Sequence, residues 1–438
     1  MKPRKPHLAL LFACISLSAS LPAQARKPAK PLPPSAFKLI SIKVTGGKRY
    51  TPDEIITATS LRLGQTVSED DFKRVSRHLG ETGAFSNVVY SYQFSSVGTK
   101  LDLQVTDSDQ FLPARFDNIV WFPDQELLEK LRARVPLFHG QLPVAGSLAD
   151  QVSDALQALL IERNLQGRAD YLRAARGEGP IEAFVFSVTG PTIHIRNVEF
   201  TGTAPAELPL LQTAAGKLQG QDYLRSVLRV QAEKNLLPVY LERGYLKAAF
   251  AEAQPRIVQD SPRETIVDVT FPVDPGRQYN TTDIQFSGYK AFPVEKLREL
   301  IHQQPGQPAN AVQLANDLEA IKKLYGSRGY MAASIQTTPE MDDAQSTVKY
   351  LLQFHEGDVY EMGELEIRGP DSRTTARLVE RWKLLAGAPY DSSYPQRFLE
   401  ETRDLLPPGA WKIAQHESIN EKDKTVDVTL RFDSQLSH

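Results

Sequence analysis

The chain has 438 residues, of which 41% are hydrophobic and 24% charged, so it has a globular composition but exceeds one core of roughly 100 to 200 residues. Its formal net charge of -2 gives no broad positive field, and we exclude nucleic acid as a partner. The single cysteine, Cys14, precludes an intramolecular disulfide.

Residues 1–25 have the pattern of a signal peptide. Three basic residues precede an apolar run at 8–21, and residues 23–25 read Ala-Gln-Ala, a small-x-small cleavage site. The run is shorter than the roughly 20 residues of a membrane-spanning helix, so we expect cleavage, no direct membrane span, and a periplasmic location. Lipid attachment at Cys14 is the alternative. Residues 26–37 are basic and proline-rich, which predicts an extended tether.

Five copies of one pattern follow the tether. A short apolar strand that runs into a glycine turn opens most copies, at 40–46, 198–202, 284–288 and 365–369, and a weaker version lies at 117–123. The centres of these segments are 77 to 86 residues apart. This spacing predicts five small domains, the second of them divergent, at 38–108, 113–190, 191–275, 276–357 and 358–433.

Within each copy the signals keep one order. After the strand and a first helix comes a glycine that can end a helix at positive φ, at Gly64, Gly140, Gly220, Gly306 and Gly387. A second, amphipathic helix then ends at a glycine that we expect to be structural, at Gly83, Gly244, Gly329 and Gly409. Two strands complete the copy. The predicted class is therefore α+β, a tandem array of β-α-α-β-β domains, each a three-stranded mixed sheet with two helices on one face.

This unit resembles the POTRA domain, the polypeptide-transport-associated module found in tandem on outer-membrane assembly factors of the Omp85 type. The opening V-x-F/I-x-G strands and the glycine-tyrosine turns at 240–245 and 324–330 carry the likeness, which covers roughly 38–433. In that family the array normally leads into a membrane β-barrel. Only six residues, 433–438, follow the last predicted strand, so we expect an array without the barrel, and only the array's binding role can be transferred.

The resemblance implies that the array binds other polypeptides at the edges of its sheets. A small sheet leaves unpaired N–H and C=O groups at its edge, and an extended peptide can pair with them. By resemblance, the edge strands are those that follow the second glycine turn, at 86–94, 246–253 and 331–338. The candidate peptide-binding residues are Leu246, Ala248, Phe250, Met331, Ala333 and Ile335. Packing beneath the helices is the alternative role for the apolar side chains among them.

The predicted partners are unfolded outer-membrane polypeptides, an outer-membrane β-barrel assembly protein, or both. The alternative is a structural scaffold in another envelope complex, for division or secretion, that binds one folded partner. The sequence lacks nucleotide-binding, zinc-protease and esterase motifs, and its eight histidines lack the spacing of a metal site. We therefore expect no enzymatic activity, no cofactor and no bound metal.

Overall fold

The computed structural model describes residues 33–175, 177, 179–406 and 411–434. The predicted signal peptide, residues 26–32 of the predicted tether, and Gly409 lie outside these residues. The chain divides into two compact units, one made of residues up to Phe111 with Arg132–Leu148, and the other of Leu112–Leu131 with the residues from Ala149 onwards. This division passes through the second repeat, whose boundaries stay a prediction.

The first unit contains the first repeat. Its elements in chain order are β1 (Leu39–Gly46), α1 (Pro52–Ala58), α2 (Glu69–Glu81), β2 (Phe85–Ser95) and β3 (Gly98–Asp107). The sheet has the order β1-β3-β2, with β1 parallel and β2 antiparallel to the central β3. Residues Pro34–Phe37 form a 3-10 turn that buries Ala36, so the end of the predicted tether is packed rather than extended.

Side-chain periodicity holds this repeat together. Helix α2 begins at a capping box in which Ser68 and Asp71 satisfy each other's backbone N–H groups. Its predicted apolar face, Phe72, Val75 and Leu79, is buried. Alternate residues of β3 are buried as well, as expected for a strand that packs one face against helices. The apolar face of the helix, with a period of 3.6, and the buried face of the strand, with a period of 2, thus contribute to one core.

The second repeat departs from the predicted pattern. Its elements are β4 (Phe111–Phe116), α3 (Asp124–Arg134), β5 (Gln141–Pro143), α4 (Leu148–Glu162), β6 (Arg168–Ala175) and β7 (Ile181–Thr189). Strand β7 pairs with β4 in parallel and with β6 in antiparallel, and β5 is additional to the predicted three strands. Where other repeats have a turn glycine after the second helix, Asn164 adopts the left-handed conformation with φ 57°.

The predicted opening strand of this repeat was wrong. The strand is β4, which ends at Phe116, and residues 117–123 form bends and irregular backbone before α3. Trp121 is buried in this segment, and its indole N–H lies within hydrogen-bond distance of Asp260 and Thr265 of the third repeat. The segment at 117–123 is therefore not a strand, and its buried Trp121 contacts the neighbouring third repeat.

The third to fifth repeats follow the predicted order. The third comprises β8 (Thr192–Thr201), α5 (Leu208–Ala215), α6 (Arg225–Gln231), α7 (Leu237–Leu241), β9 (Ala249–Phe250), β10 (Gln254–Asp260) and β11 (Glu264–Asp274). The fourth comprises β12 (Asn280–Ser287), α8 (Val294–Arg298), α9 (Ala311–Gly326), β13 (Ser334–Asp342) and β14 (Thr347–His355). The fifth comprises β15 (Glu361–Arg368), α10 (Ser372–Arg381), α11 (Tyr394–Glu401), β16 (Trp411–Asn420) and β17 (Thr425–Ser434). The sheet orders are β10-β11-β8, β12-β14-β13 and β15-β17-β16, and the extra strand β9 pairs with β11.

Pro238 interrupts the second helix of the third repeat. Proline has no backbone N–H to donate to the preceding turn. The helix widens into a π-helical segment, Ala232–Leu236, and α7 then restarts with the proline in its first turn. The chain therefore accommodates the proline by forming one π-helical segment, after which the helix continues.

A buried carboxylate ties together three strands of the third repeat. Asp268 on β11 is 1% exposed, and it accepts two hydrogen bonds from Arg196 on β8 and one from Arg256 on β10. The hydrogen bonds from Arg196 lower the pKa of the Asp268 carboxyl, against the opposing effect of burial. The charged form of this side chain therefore belongs to the folded state.

We expect the free energy of unfolding of this repeat to fall less between pH 7 and pH 3 in the Asp268→Asn variant than in the wild type. A carboxyl whose pKa is lower in the folded than in the unfolded state stabilises the fold above its unfolded pKa, about 3.9, and loses this contribution as pH falls through the folded pKa. Urea unfolding at pH 7 and pH 3 measures the difference. Glu264→Gln, an exposed change at the start of the same strand, is the matched control. Equal acid sensitivity of wild type and Asp268→Asn would contradict the assignment.

Candidate polypeptide-binding edges

At one edge of the sheet, the backbone of the repeat's own loop forms hydrogen bonds with the start of the first strand. In the fourth repeat, the N–H of Thr281 donates to Gln307, the N–H of Gly306 donates to Thr281, and the N–H of Ala309 donates to Tyr279, all at 2.7 to 2.9 Å. The loop after the first helix thus pairs with the start of the first strand. This start therefore cannot receive another backbone.

The same three hydrogen bonds recur in the first, third and fifth repeats. Their loop glycines, Gly64, Gly220 and Gly387, donate to Leu39, Ile195 and Met362 respectively, at 2.7 to 2.8 Å. Each of these glycines has a positive φ, as the sequence predicts. The predicted role of these glycines in ending a helix was wrong, because they lie in the loop beyond it, where the Gly-Gln or Gly-Ala backbone closes the start of an edge strand.

The opposite edge of each sheet is open. The terminal strands are β2, β6, β10, β13 and β16, and each pairs on one side only with a neighbouring strand. Within the described residues, no strand pairs with the outer side of these five. The predicted edge strand at 86–94 lies within β2, and the one at 331–338 overlaps β13, whereas the one at 246–253 precedes the terminal strand β10.

An added strand needs free N–H and C=O groups on the outer side. On β6 the backbone of Ala169 is instead bonded by the side chains of Ser153 and Gln157, and on β2 the carbonyl of Val88 accepts from Ser76.

The predicted peptide-binding residues divide between strand and turn. Ile335 lies in β13 and Phe250 in the short β9. The other four, Leu246, Ala248, Met331 and Ala333, precede the strands, and two of them occupy turns. The predicted starts of these strands were therefore wrong: β13 begins at Ser334, and β10 begins at Gln254 after the two-residue β9. Binding at any of the six positions stays a prediction.

Prolines interrupt the open edges of the third and fourth repeats, which contain all six predicted peptide-binding residues. Pro339 sits in β13, opposite Tyr350 in a nine-position register, and Pro255 sits in β10. A proline in a paired strand turns its nitrogen away from the partner, so the outer side lacks a donor there. Strand β10 also has an irregular register after Ile257. Both features blunt an edge against pairing.

Strands β2 and β16 have the least interrupted open edges. Each pairs over ten positions with its central strand, and neither contains proline. Strand β2 has one register shift, beside Phe85, and it carries no charged residue. The sequence signal that could have identified β2 is this uncharged run of eleven residues, in which aromatic and polar residues alternate from Tyr90 to Ser95.

The turn glycines bind the backbone of the following segment. The carbonyl of Gly244 accepts from the N–H of Tyr279, and that of Gly329 accepts from the N–H of Tyr360, both at 2.8 Å. The carbonyl of Gly83 accepts from the hydroxyl of Ser108 at 2.6 Å. All three glycines have positive φ. They are structural elements of the joints between repeats and linkers.

An ionic contact accompanies the joint between the third and fourth repeats. Asp343, in the turn after β13, accepts hydrogen bonds from the Lys247 ammonium and the Tyr279 hydroxyl. The hydrogen bond from Lys247 lowers the pKa of the Asp343 carboxyl, and the same bond raises the pKa of Lys247. The Lys247–Asp343 pair thus links the third repeat to the fourth.

Within residues 33–175, 177, 179–406 and 411–434, no three His, Cys, Asp or Glu side chains lie together as metal ligands would. In the same part of the chain, no helix has both the length and the apolar composition that crossing a membrane requires.

The repeats share a β-α-α-β-β order with mixed sheets, and one of them matches a known family. Residues 279–357, the fourth repeat, match the POTRA family, described as "Surface antigen variable number repeat".

The similarity to known proteins extends over most of the chain. The outer membrane protein assembly factor BamA of Neisseria meningitidis serogroup B is 25% identical over 387 residues, which cover 86% of this chain and 47% of that protein. The chain thus spans about half the length of this relative. POTRA domains 3–5 of Haemophilus influenzae BamA align with a TM-score of 0.46 and 20% identity, over 56% of this chain and 97% of that structure. The N-terminal domain of Omp85 from Thermosynechococcus elongatus aligns with a TM-score of 0.24 and 18% identity, over 56% and 99%.

Proposed function

We propose that the chain is a periplasmic docking array for outer membrane protein assembly, which holds extended polypeptide segments by β-augmentation at its open edges. The observation that carries the proposal is the asymmetry of the sheets. The start of the first strand is closed by the repeat's own loop in four repeats, whereas no described strand pairs with the outer side of the terminal antiparallel strand in any of the five. The similarity to an assembly factor supports the cellular context.

Backbone pairing suits this function because it is indifferent to the sequence of the client. Each added main-chain hydrogen bond contributes about 0.5–1.5 kcal/mol, so a short paired segment binds weakly and releases readily. Several edges on one chain raise the effective concentration of a client that occupies more than one of them. We assign the main docking edges to β2 and β16, since both have ten paired positions and no proline.

Backbone N-methylation of a client peptide tests the proposal without changing the protein. The probe is a fluorescein-labelled ten-residue peptide with the sequence of an outer-membrane barrel strand, and fluorescence anisotropy measures its binding to the full chain. Methylation of the central amides removes several hydrogen bonds, so we expect affinity to fall at least about tenfold. A peptide with the same number of N-methyl groups in a flanking Gly-Ser tail is the control and should bind normally.

Two outcomes would overturn the proposal. Equal binding of the methylated and unmethylated peptides would show that main-chain pairing is not involved. Capture of a folded envelope complex, together with no binding of extended peptides, would instead assign the chain to a scaffold with one folded partner.

A further inference from the structure

We propose that Tyr90, Tyr92 and Phe94 on β2 form an aromatic ladder that selects segments with aromatic or large apolar side chains at every second position. This inference rests on the proposed function, since it concerns which clients the open edge of β2 prefers. The ladder is defined by these three residues.

The three rings lie in one row along the edge strand. Alternate residues of a strand project to the same face, and these three positions share the half-buried face of β2. The ring centroids of Tyr90 and Tyr92 are 6.4 Å apart, and those of Tyr92 and Phe94 are 5.2 Å apart. Phe37 extends the row, with its ring centroid 5.3 Å from that of Phe94. The row is therefore continuous.

Helix α2 fixes the ladder in position. Phe72 packs against Tyr92 with ring centroids 5.2 Å apart, and the hydroxyl of Ser76 donates to the carbonyl of Val88 at 3.2 Å. The interaction with the Glu69 carboxylate raises the pKa of Tyr92. Because these contacts hold the rings before a client arrives, binding costs them little conformational freedom.

The composition of β2 indicates that a partner covers its open edge. Natural proteins usually protect a long edge strand with prolines or charges, and β2 has neither. Its opposite face carries Asn87, Val89, Ser91 and Gln93, which are uncharged as well. Such a strand would cause aggregation unless a partner covered it.

The other open edges lack this row of rings. Strand β6 carries one aromatic residue, Tyr171, among charged residues, and β13 carries none. Strand β16 has one, Trp411, at its first position. A selective side-chain row is thus a property of the first repeat.

A strand added beside β2 would place every second side chain next to the ladder. Directly opposite residues of neighbouring strands have Cβ atoms about 4.5–5.5 Å apart, and aromatic pairs at these positions are favourable. The residues between them would face the neutral polar side. The occupant is therefore an uncharged, extended segment whose apolar residues alternate with small polar ones.

Two peptides of identical composition test this selection on the full chain. In one, aromatic and polar residues alternate; in the other, the same residues stand in two blocks. We expect the alternating peptide to bind about tenfold more tightly, because only it can place three rings on the ladder together. Tyr90→Thr and the triple variant Tyr90→Thr, Tyr92→Thr, Phe94→Thr should lose this preference, while Val89→Thr, on the opposite face, should keep it.

Circular dichroism establishes which variants fold. If the triple variant does not fold, the single variant Tyr90→Thr tests the ladder alone. Equal binding of the two peptides to the wild-type chain, or an unchanged preference in a folded ladder variant, would overturn the ladder. If N-methylation still abolishes binding in either case, the docking function stands without the ladder. Failure of both peptides to bind would overturn both.

Discussion

Trp121→Ala is expected to destabilise the pair formed by the second and third repeats by about 3–5 kcal/mol, the usual cost of truncating a buried aromatic side chain. Trp121 is 3% exposed, and its Nε1 lies 3.2 Å from Oδ1 of Asp260 and 3.1 Å from Oγ1 of Thr265. Both partners belong to the third repeat. The substitution therefore leaves a cavity and also removes a donor from the contact between the two repeats.

Urea unfolding followed by circular dichroism measures this loss. Trp121→Phe keeps most of the apolar contact and loses only the N–H, so its cost should be smaller, about 1–3 kcal/mol. Leu172→Ala, at a side chain that is 73% exposed, is the control and should stay within about 0.5 kcal/mol of wild type. If Trp121→Ala behaves like this control, the indole does not stabilise the contact.

Trp121 also shows what a local pattern cannot reveal. Residues 117–123 have the apolar residues of an opening strand at nearly the right spacing, and the sequence predicted one there. In the structure these residues are buried without forming a strand, and Trp121 hydrogen-bonds the third repeat. Hydrophobicity predicts that a residue is buried; it does not say which surface buries it.

The glycine motifs show the opposite case, in which local chemistry was predicted well. The positive φ of Gly64, Gly220, Gly306 and Gly387 was predicted correctly, but these glycines lie in the loop after the first helix and do not end it. Their pairing with the first strand was not predicted, because that contact joins residues 25 or more positions apart. The order of elements was therefore predictable from one repeat, whereas the closed edge depends on three-dimensional contacts.

The starts of two edge strands were misplaced for a local reason. After Tyr245 and Tyr330 the chain makes one more turn, closed by hydrogen bonds from Ala248 to Tyr245 and from Ala333 to Tyr330. The small residues in these turns have the composition of a shallow strand. Lys247 and Ala332 instead approach Gly276 and Gly357 of the following linkers, which the sequence of one repeat does not indicate.

Gly329→Ala is expected to destabilise the joint between the fourth and fifth repeats by about 2–3 kcal/mol. Gly329 has φ +86°, a conformation that costs another residue about 1–2 kcal/mol. A Cβ atom there would lie 2.6 Å from the carbonyl oxygen of Tyr360, so the backbone must move. That movement weakens the hydrogen bond from the N–H of Tyr360 to Gly329, worth about 0.5–1.5 kcal/mol.

Gly306→Ala is a matched control for this substitution. Gly306 has φ +82°, and a Cβ atom there would meet nothing within 4 Å, so only the conformational cost of about 1–2 kcal/mol applies. The difference between the two variants in urea unfolding isolates the close approach at the joint. Faster hydrogen exchange at the Tyr360 amide in Gly329→Ala alone would locate the effect. Equal costs for both variants would mean that the glycine serves only its own turn, and that the joint depends on other contacts.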